Sequence, residues 1–217
     1  MQTMSADNSA ETCRLLRCVA DGDQESWGIL LTRHEERLRR MVAYRMDRRL
    51  QGRIDAQDII QDAYLEASEH QETFLRQPAR PFFLWLRGIV GNKLLELHRH
   101  HLGTQMRDAS REVSLYRGSL PGASSAALAD QLLGHATRPS EAAIRAEMKI
   151  RLEEAINSMD PIDREVLVLR HFEQLDPAET AEVLNIKEKA ASMRYLRALK
   201  RLRDILIGLP GGPKELR

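Results

Sequence analysis

A chain of 217 residues is long enough for two small domains, each with a core of its own. Hydrophobic residues make up 42% of it and aromatic residues only 5%, a balance rich in Leu, Ala, Arg and Glu that favours helix over sheet, and no run approaches the roughly eighteen apolar residues needed to span a bilayer. The formal charge of +1 excludes neither nucleic acid nor acidic partners, because it hides steep segregation: residues 141–182 hold eleven acids and five bases, whereas residues 187–203 hold seven bases and one acid.

The expected fold is all-α, with two small helical domains (10–102 and 140–207) joined by a flexible linker (103–139). Residues 1–9 read as disordered, and MQTMSADNSAET lacks the basic-then-apolar pattern of a signal peptide, so the chain is expected in the cytoplasm. A short helix from Ala10 to Ala20 carries Leu15, Leu16 and Val19. Cys13 and Cys18 form a C-x4-C pair without the second pair that zinc requires, and read as reduced, packing thiols. After the Asp21-Gly22-Asp23 turn, residues 24–50 place Trp27, Leu30, Leu31, His34, Leu38, Met41 and Val42 at helical steps, a core-facing stripe on which His34 is expected to be a satisfied histidine. The opposite face is basic, with Arg33, Arg37, Arg40, Arg45, Arg48 and Arg49.

Asp55 is the expected N-cap of the next helix, with Asp58 at its third position. Ile59, Ala63 and Ala67 point to a core, while Asp58, Gln61, Asp62 and Leu65 follow i, i+3, i+4, i+7 on another face. Three polar side chains and one exposed leucine make a protein-docking stripe or an ordinary solvated face. A helix from Pro81 buries Phe82, Leu86, Ile89 or Val90, Leu94 and Leu97 beside Trp85, and presents Arg87, Asn92, Lys93, Arg99 and His100. Rings feeding into a basic, amide-bearing face suit unstacked nucleotides, which stack on aromatics and are held by cations. His98, His100 and His101 lack the carboxylate or cysteine array of a metal site.

From Leu102 to Pro139 the composition turns to Gly, Ser, Ala and Pro, a linker with at most a transient helical turn at 126–133. The second domain opens at Ser140 with Ile144, Met148, Leu152 and Ile156 on one helical face; Asp160-Pro161-Ile162-Asp163 caps a helix packed by Val166, Leu167, Leu169 and Phe172. QLDPAETAEVLNIKEKAASMRYLRALKRLR, residues 174–203, then reads as a helix-turn-helix. Asp176 is its N-cap, Pro177 its first residue and Glu179 the other half of a capping box. Ala178, Ala181 and Leu184 share an apolar face, Asn185 tolerates the left-handed break, and Ile186 plugs the angle. The second helix carries Lys187, Lys189, Arg194, Arg197, Lys200, Arg201 and Arg203 against Glu188, the footprint of a phosphate-facing helix.

DAQDIIQDAYLEA, FFLWLRGIVGNKLLELHRH and MDPIDREVLVLRHFEQLDPAETAEVLNIKEKAASMRYLRALKRL, in this order, resemble the extracytoplasmic-function (ECF) group of bacterial RNA polymerase sigma factors, over about Ala20–His101 and Ser140–Leu206. The resemblance implies a protein that binds core RNA polymerase and directs it to promoters, with no catalytic residue, metal or cofactor. It assigns Asp58, Gln61, Asp62 and Leu65 to docking on the largest polymerase subunits. Trp85, Arg87, Asn92, Lys93 and Arg99 fall to the minus-ten element, with Asn92 at a pocket for a flipped base. Lys187, Glu188, Lys189, Ser192, Met193, Arg194, Arg197 and Lys200 fall to the minus-thirty-five element, Arg194 and Lys200 as phosphate contacts. An anti-sigma factor is a further partner that it allows. The chain departs from the family pattern at Asn185, where Gly is frequent, at Lys187, where Ser or Thr caps, and at Glu66, Gly88 and Ser192, where basic residues are frequent. Two other readings compete. A one-component helix-turn-helix regulator needs a single DNA domain and a dimer interface, and a metal-dependent phosphodiesterase or nuclease needs Asp55, Asp58, Asp62 and the histidines to converge.

Overall fold

The computed structural model describes residues 3–102, 120–133 and 142–208. Among these the regular structure is helical apart from an isolated bridge between Gln51 and Ile54. Two compact units are present, Met1–Ala43 with Arg49–Pro121, and Tyr44–Arg48 with Gly122–Arg217. Residues 103–119 and 134–139 of the expected linker, the first two residues of the expected second domain (140–141), and the tail from 209 lie outside the described residues.

In the first unit α1 (Thr3–Ala20) starts seven residues before the expected Ala10. No Pro or Gly interrupts Thr3–Ala10, so nothing local stops the helix there. Cys13 is exposed, against the expectation of two packing thiols, and Cys18 is half-buried. Asp23 caps α2 (Gln24–Arg45): its carboxylate accepts from the backbone N–H groups of Glu25 and Ser26 at 3.0 and 3.3 Å and from the Ser26 hydroxyl at 2.7 Å. The predicted stripe of α2 is buried throughout. It meets α3 (Ala56–Glu69) and α5 (Phe82–Leu102), which pack on each other where Ala63 and Ala67 let the backbones close up. The Tyr64 hydroxyl donates to the Leu31 carbonyl at 2.9 Å and fixes α3 against α2. The short α4 (Gln71–Arg76) adds Phe74, which stacks on Trp85 at 4.5 Å between ring centroids and meets Phe82 edge-on.

His34 is buried as expected but not satisfied. Its ring lies 5.6 Å from that of Phe82 and 5.4 Å from that of Phe83, and neither nitrogen has a hydrogen-bond partner among the described residues. Burial, reinforced by the Arg37 and Arg33 charges, lowers its pKa from 6.5 to about 4. The unfolded chain therefore binds a proton between these values that the folded chain refuses, and stability falls as pH drops through that window. Urea unfolding followed from pH 7 to 4 should show a loss approaching about 3 kcal/mol attributable to this group, and His34→Leu should flatten the slope.

Leu120 and Pro121 are buried in this unit. Leu120 occupies the space over Gly91 so closely that a Cβ there would lie 1.8 Å from its Cδ2, which explains a glycine in mid-helix.

In the second unit, part of the expected linker is helix. α6 (Ser125–Leu133) buries Ala126 and sets Leu128 and Ala129 in a core with Leu152, Ile156, Leu167, Val168, Phe172, Ala198 and Leu202. Leu128 and Leu132 stand one turn apart, which is enough apolar surface to anchor nine residues once a partner is present. The Arg164 guanidinium fixes the entry to α6, donating to the Ala123 carbonyl at 2.5 Å and to Ser125 Oγ at 2.8 Å. α7 (Ala142–Asn157) contributes Leu152 and Ile156; the side chain of Ile144 lies outside the described ones. α8 (Pro161–Leu167) is capped by Asp160, as read from the sequence, and continues into one π-helical turn over Val168–Phe172.

Arg45, placed by the sequence on a solvated basic face, is instead buried in this unit. Its Nε donates to Glu173 at 2.6 Å and its Nη2 to Glu165, and both Arg45 and Glu173 are 1% exposed at the side chain. The acids that receive it are more than a hundred residues away in sequence, beyond the reach of any local pattern.

Candidate functional site

Three surfaces carry the candidate residues. The first is the helix-turn-helix, α9 (Pro177–Leu184) and α10 (Glu188–Gly208). The capping box is complete: Asp176 accepts from the Glu179 amide at 2.8 Å, and Glu179 accepts from the Asp176 amide at 2.9 Å. Asn185 closes α9 at φ 52° and ψ 45°, the left-handed conformation that the break needs, so it serves where glycine is frequent. Ala181 and Leu184 are buried as expected; Ala178 is exposed, and Thr180 takes the inner position, its hydroxyl donating to the Asp176 carbonyl at 2.8 Å.

Ala191, Ala198 and Leu202 seat α10 on the core, so the opposite side faces outward. Lys189, Met193, Arg197 and Lys200 are exposed there, Lys187 and Glu188 are exposed at its start, and Ser192 is half-buried. Arg194 is on the flank rather than the outward face: its Nη1 donates to Asp163 at 2.8 Å and lies 3.8 Å from Asp160. A phosphate contact by Arg194 thus competes with two acids at the start of α8. Arg201 donates to the Ser158 carbonyl at 3.0 Å, again on the flank.

The second surface is α3. Asp55 accepts from the Gln57 amide at 2.9 Å, which frees Asp58, in the first turn, to face out. Asp58, Gln61, Asp62 and Leu65 are all exposed, Leu65 by 68%, and the structure groups all four as their spacing predicts.

The third is α5, where the structure separates the five expected residues. Asn92 and Arg99 are exposed and two turns apart on one side, with Glu96 between them. Lys93 is half-buried and paired with Glu66 at 2.6 Å; that hydrogen bond raises its pKa and ties α5 to α3. Glu66, at a position where the family is often basic, thus has a structural use. Trp85 is half-buried in the aromatic cluster with Trp27, Phe74 and Phe82. Arg87 is only 5% exposed, on the buried stripe of Leu84, Gly91, Leu94 and His98, so the helical phase removes it from the surface expected of it.

Two family models match the chain, "Sigma-70 region 2" over residues 31–102 and "Sigma-70, region 4" over residues 149–202. The chain belongs to the ECF group of the sigma-70 family. Relatives include the ECF RNA polymerase sigma factor SigW of Bacillus subtilis, 23% identical over 88% of this chain and 94% of the relative. RNA polymerase sigma factor CnrH of Cupriavidus metallidurans is 29% identical over 92% of this chain and 96% of the relative. The fold of this sigma factor is also that of CnrH in complex with the cytosolic domain of CnrY, at a TM-score of 0.51, 24% identity, and coverage of 90% and 97% of the two chains.

A sigma factor directs RNA polymerase to promoters, and this one carries regions 2 and 4, whereas a one-component regulator has no use for region 2. The region 2 match takes in the Asp58–Leu65 stripe of α3 and the Asn92 face of α5; the region 4 match ends at Leu202, within α10 and beyond Lys189, Arg197 and Lys200. α6 falls between the two matches. No helix among the described residues is long and apolar enough to cross a membrane.

Proposed function

We propose that this sigma factor docks on core polymerase through Asp58, Gln61, Asp62 and Leu65, and reads a two-element promoter through Asn92 and Arg99 at the minus-ten element, where the strands open, and through α10 at the distal element. The observation that carries the reading is the separation of surfaces: an exposed acidic stripe with a protruding leucine on α3, and an outward basic face on α10. Acidic side chains around one apolar anchor suit a basic protein partner, since charge steers the encounter and the buried anchor supplies affinity. The cations of α10 suit phosphate, and its N-terminal turns suit base edges in the major groove.

Asn92 can present both a donor and an acceptor to one extruded base. Holding that base costs a few kcal/mol of unstacking, which amide hydrogen bonds and the Arg99 contact to phosphate offset. Lys93 joins them when it exchanges Glu66 for phosphate. Promoter opening is then binding energy spent on strand separation, with no covalent step by this chain, no metal and no cofactor. The site of action is the cytoplasm, with polymerase and promoter DNA as partners. The complex of CnrH with CnrY supports an anti-sigma factor as a further partner.

Run-off transcription with purified core enzyme on genomic promoter fragments tests the whole reading. The expected result is initiation at discrete sites dependent on this chain; no core binding and no initiation would refute it. In the same assay Arg197→Ala should leave core binding intact and weaken promoter binding by roughly 5- to 150-fold, the range of one specific base contact.

A further inference from the structure

α10 shows two large apolar side chains to solvent on the face assigned to DNA. Met193 is 51% exposed and Leu196 59%. Lys189 precedes and Lys200 follows them, the four at i, i+4, i+7 and i+11 on one outward line opposite the buried Ala191, Ala198 and Leu202. Leu196 stands outside the set that sequence reasoning proposed, because a leucine in a helical repeat is ordinarily assigned to the core.

The surroundings limit what these two side chains can meet. Lys189, Arg197 and Lys200 flank them, and the acids of the same helix lie further off, Glu188 at its start and Asp204 one turn beyond Lys200. That charge suits a polyanion and disfavours a basic protein surface. The apolar group that duplex DNA offers in its major groove is the 5-methyl of thymine. Three residues of helix advance about 4.5 Å, close to the ~3.4 Å step between bases on one strand, so Met193 and Leu196 address neighbouring or next-but-one bases. Ile207, exposed on the same side, is about 16 Å further along the axis than Leu196 and outside a groove about 12 Å wide.

We infer that Met193 and Leu196 are specificity-determining contacts that read thymine methyl groups in the distal promoter element beside the Arg197 base contact, with Lys189 and Lys200 holding the helix to the phosphates around them. This rests on the assignment of α10 to DNA. It adds the chemistry of the base selected and a residue, Leu196, that does the selecting. The rigid base of the reader comes from its own packing: α10 is seated by small Ala191 and Ala198, and its start is held by the left-handed turn at Asn185. A methyl group meets a surface already in place, so its burial is not offset by ordering the helix.

The test uses holoenzyme assembled from the full chain and core polymerase. A distal element is first selected from random duplexes, then rebuilt with deoxyuridine in place of each thymidine, which removes only the methyl. Wild-type holoenzyme should lose about fourfold in affinity for each contacted methyl, the worth of one buried carbon. Met193→Ala with Leu196→Ala should bind the thymine element more weakly and no longer distinguish it from the uracil one. Leu196→Met, which keeps the apolar contact, should retain the distinction. Both alanines lie on exposed positions of a helix and favour it, and unchanged circular dichroism confirms folding. Equal binding of the two elements by wild type would overturn the inference while leaving the promoter assignment standing. So would a uracil effect that persists in the double variant. Selection that yields no distal preference at all would overturn both.

Discussion

Asp58→Lys combined with Asp62→Lys is expected to abolish association with core RNA polymerase while the chain stays folded. The two side chains are one turn apart on the outward line of α3, with Leu65 protruding beyond them. Reversal takes the local charge from minus two to plus two and sets like charge against a basic partner, a juxtaposition worth several kcal/mol. The buried side of α3, with Ile59, Ile60, Ala63 and Ala67, is untouched, and the Asp55 cap remains. Only a small dipole penalty follows from a lysine in the first turn. Fluorescence anisotropy of labelled chain against core enzyme should show no saturable binding for the double reversal. Asp58→Asn with Asp62→Asn, which removes attraction without adding repulsion, should give an intermediate loss, and Leu65→Ala roughly a tenfold one, as for a partly buried anchor. Undiminished binding by the double reversal would remove α3 from the polymerase interface.

The helix-turn-helix is the part most legible in the sequence, because each step has a local cause: a capping box closes within three residues, and Asn185 needs only its own backbone to turn left-handed. The stripe on α3 was legible for the same reason, since period and exposure follow from one helix. On α5 period alone was insufficient. Arg87 shares its phase with Leu84, Gly91 and Leu94, and its burial follows once that stripe is recognised, but a charged residue beside exposed Asn92 and Lys93 reads more readily as surface. Lys93 itself is engaged by Glu66 from another helix. α6 was under-read because its Ser, Ala and Gly neighbours mimic a linker, and its stability comes from Leu152, Ile156 and the Arg164 bonds rather than from its own nine residues. His34 had the right burial and the wrong partner: periodicity places a ring in a core but does not say whether a donor meets it.

The largest single loss of stability is expected at Arg45. Methionine there keeps most of the aliphatic volume and removes the charge, leaving Glu173 1% exposed beside a partner that cannot donate. Breaking a buried pair by deleting one member costs roughly 3–5 kcal/mol, which is a large part of the 5–15 kcal/mol that holds a typical domain together. Burial by itself penalises the guanidinium, yet the Glu165 and Glu173 charges and hydrogen bonds outweigh it and raise the pKa, so the arginine stays charged at every accessible pH. Thermal unfolding of Arg45→Met should therefore drop by 10 °C or more, at about 4 °C per kcal/mol for a unit near a hundred residues. Arg45→Lys should be nearly as damaging, because Nε and Nη2 reach two different carboxylates and a single ammonium lacks that fork. Adding Glu173→Gln to Arg45→Met removes the buried charge that Arg45 no longer balances and should recover part of the loss, whereas Glu165, 20% exposed, retains solvent and needs no repair. The coupling between the two substitutions, read from a double-mutant cycle in urea, is the deciding quantity. Simple additivity would mean that the pair contributes packing alone, and a clear positive coupling that the charge of Arg45 stabilises the buried acid.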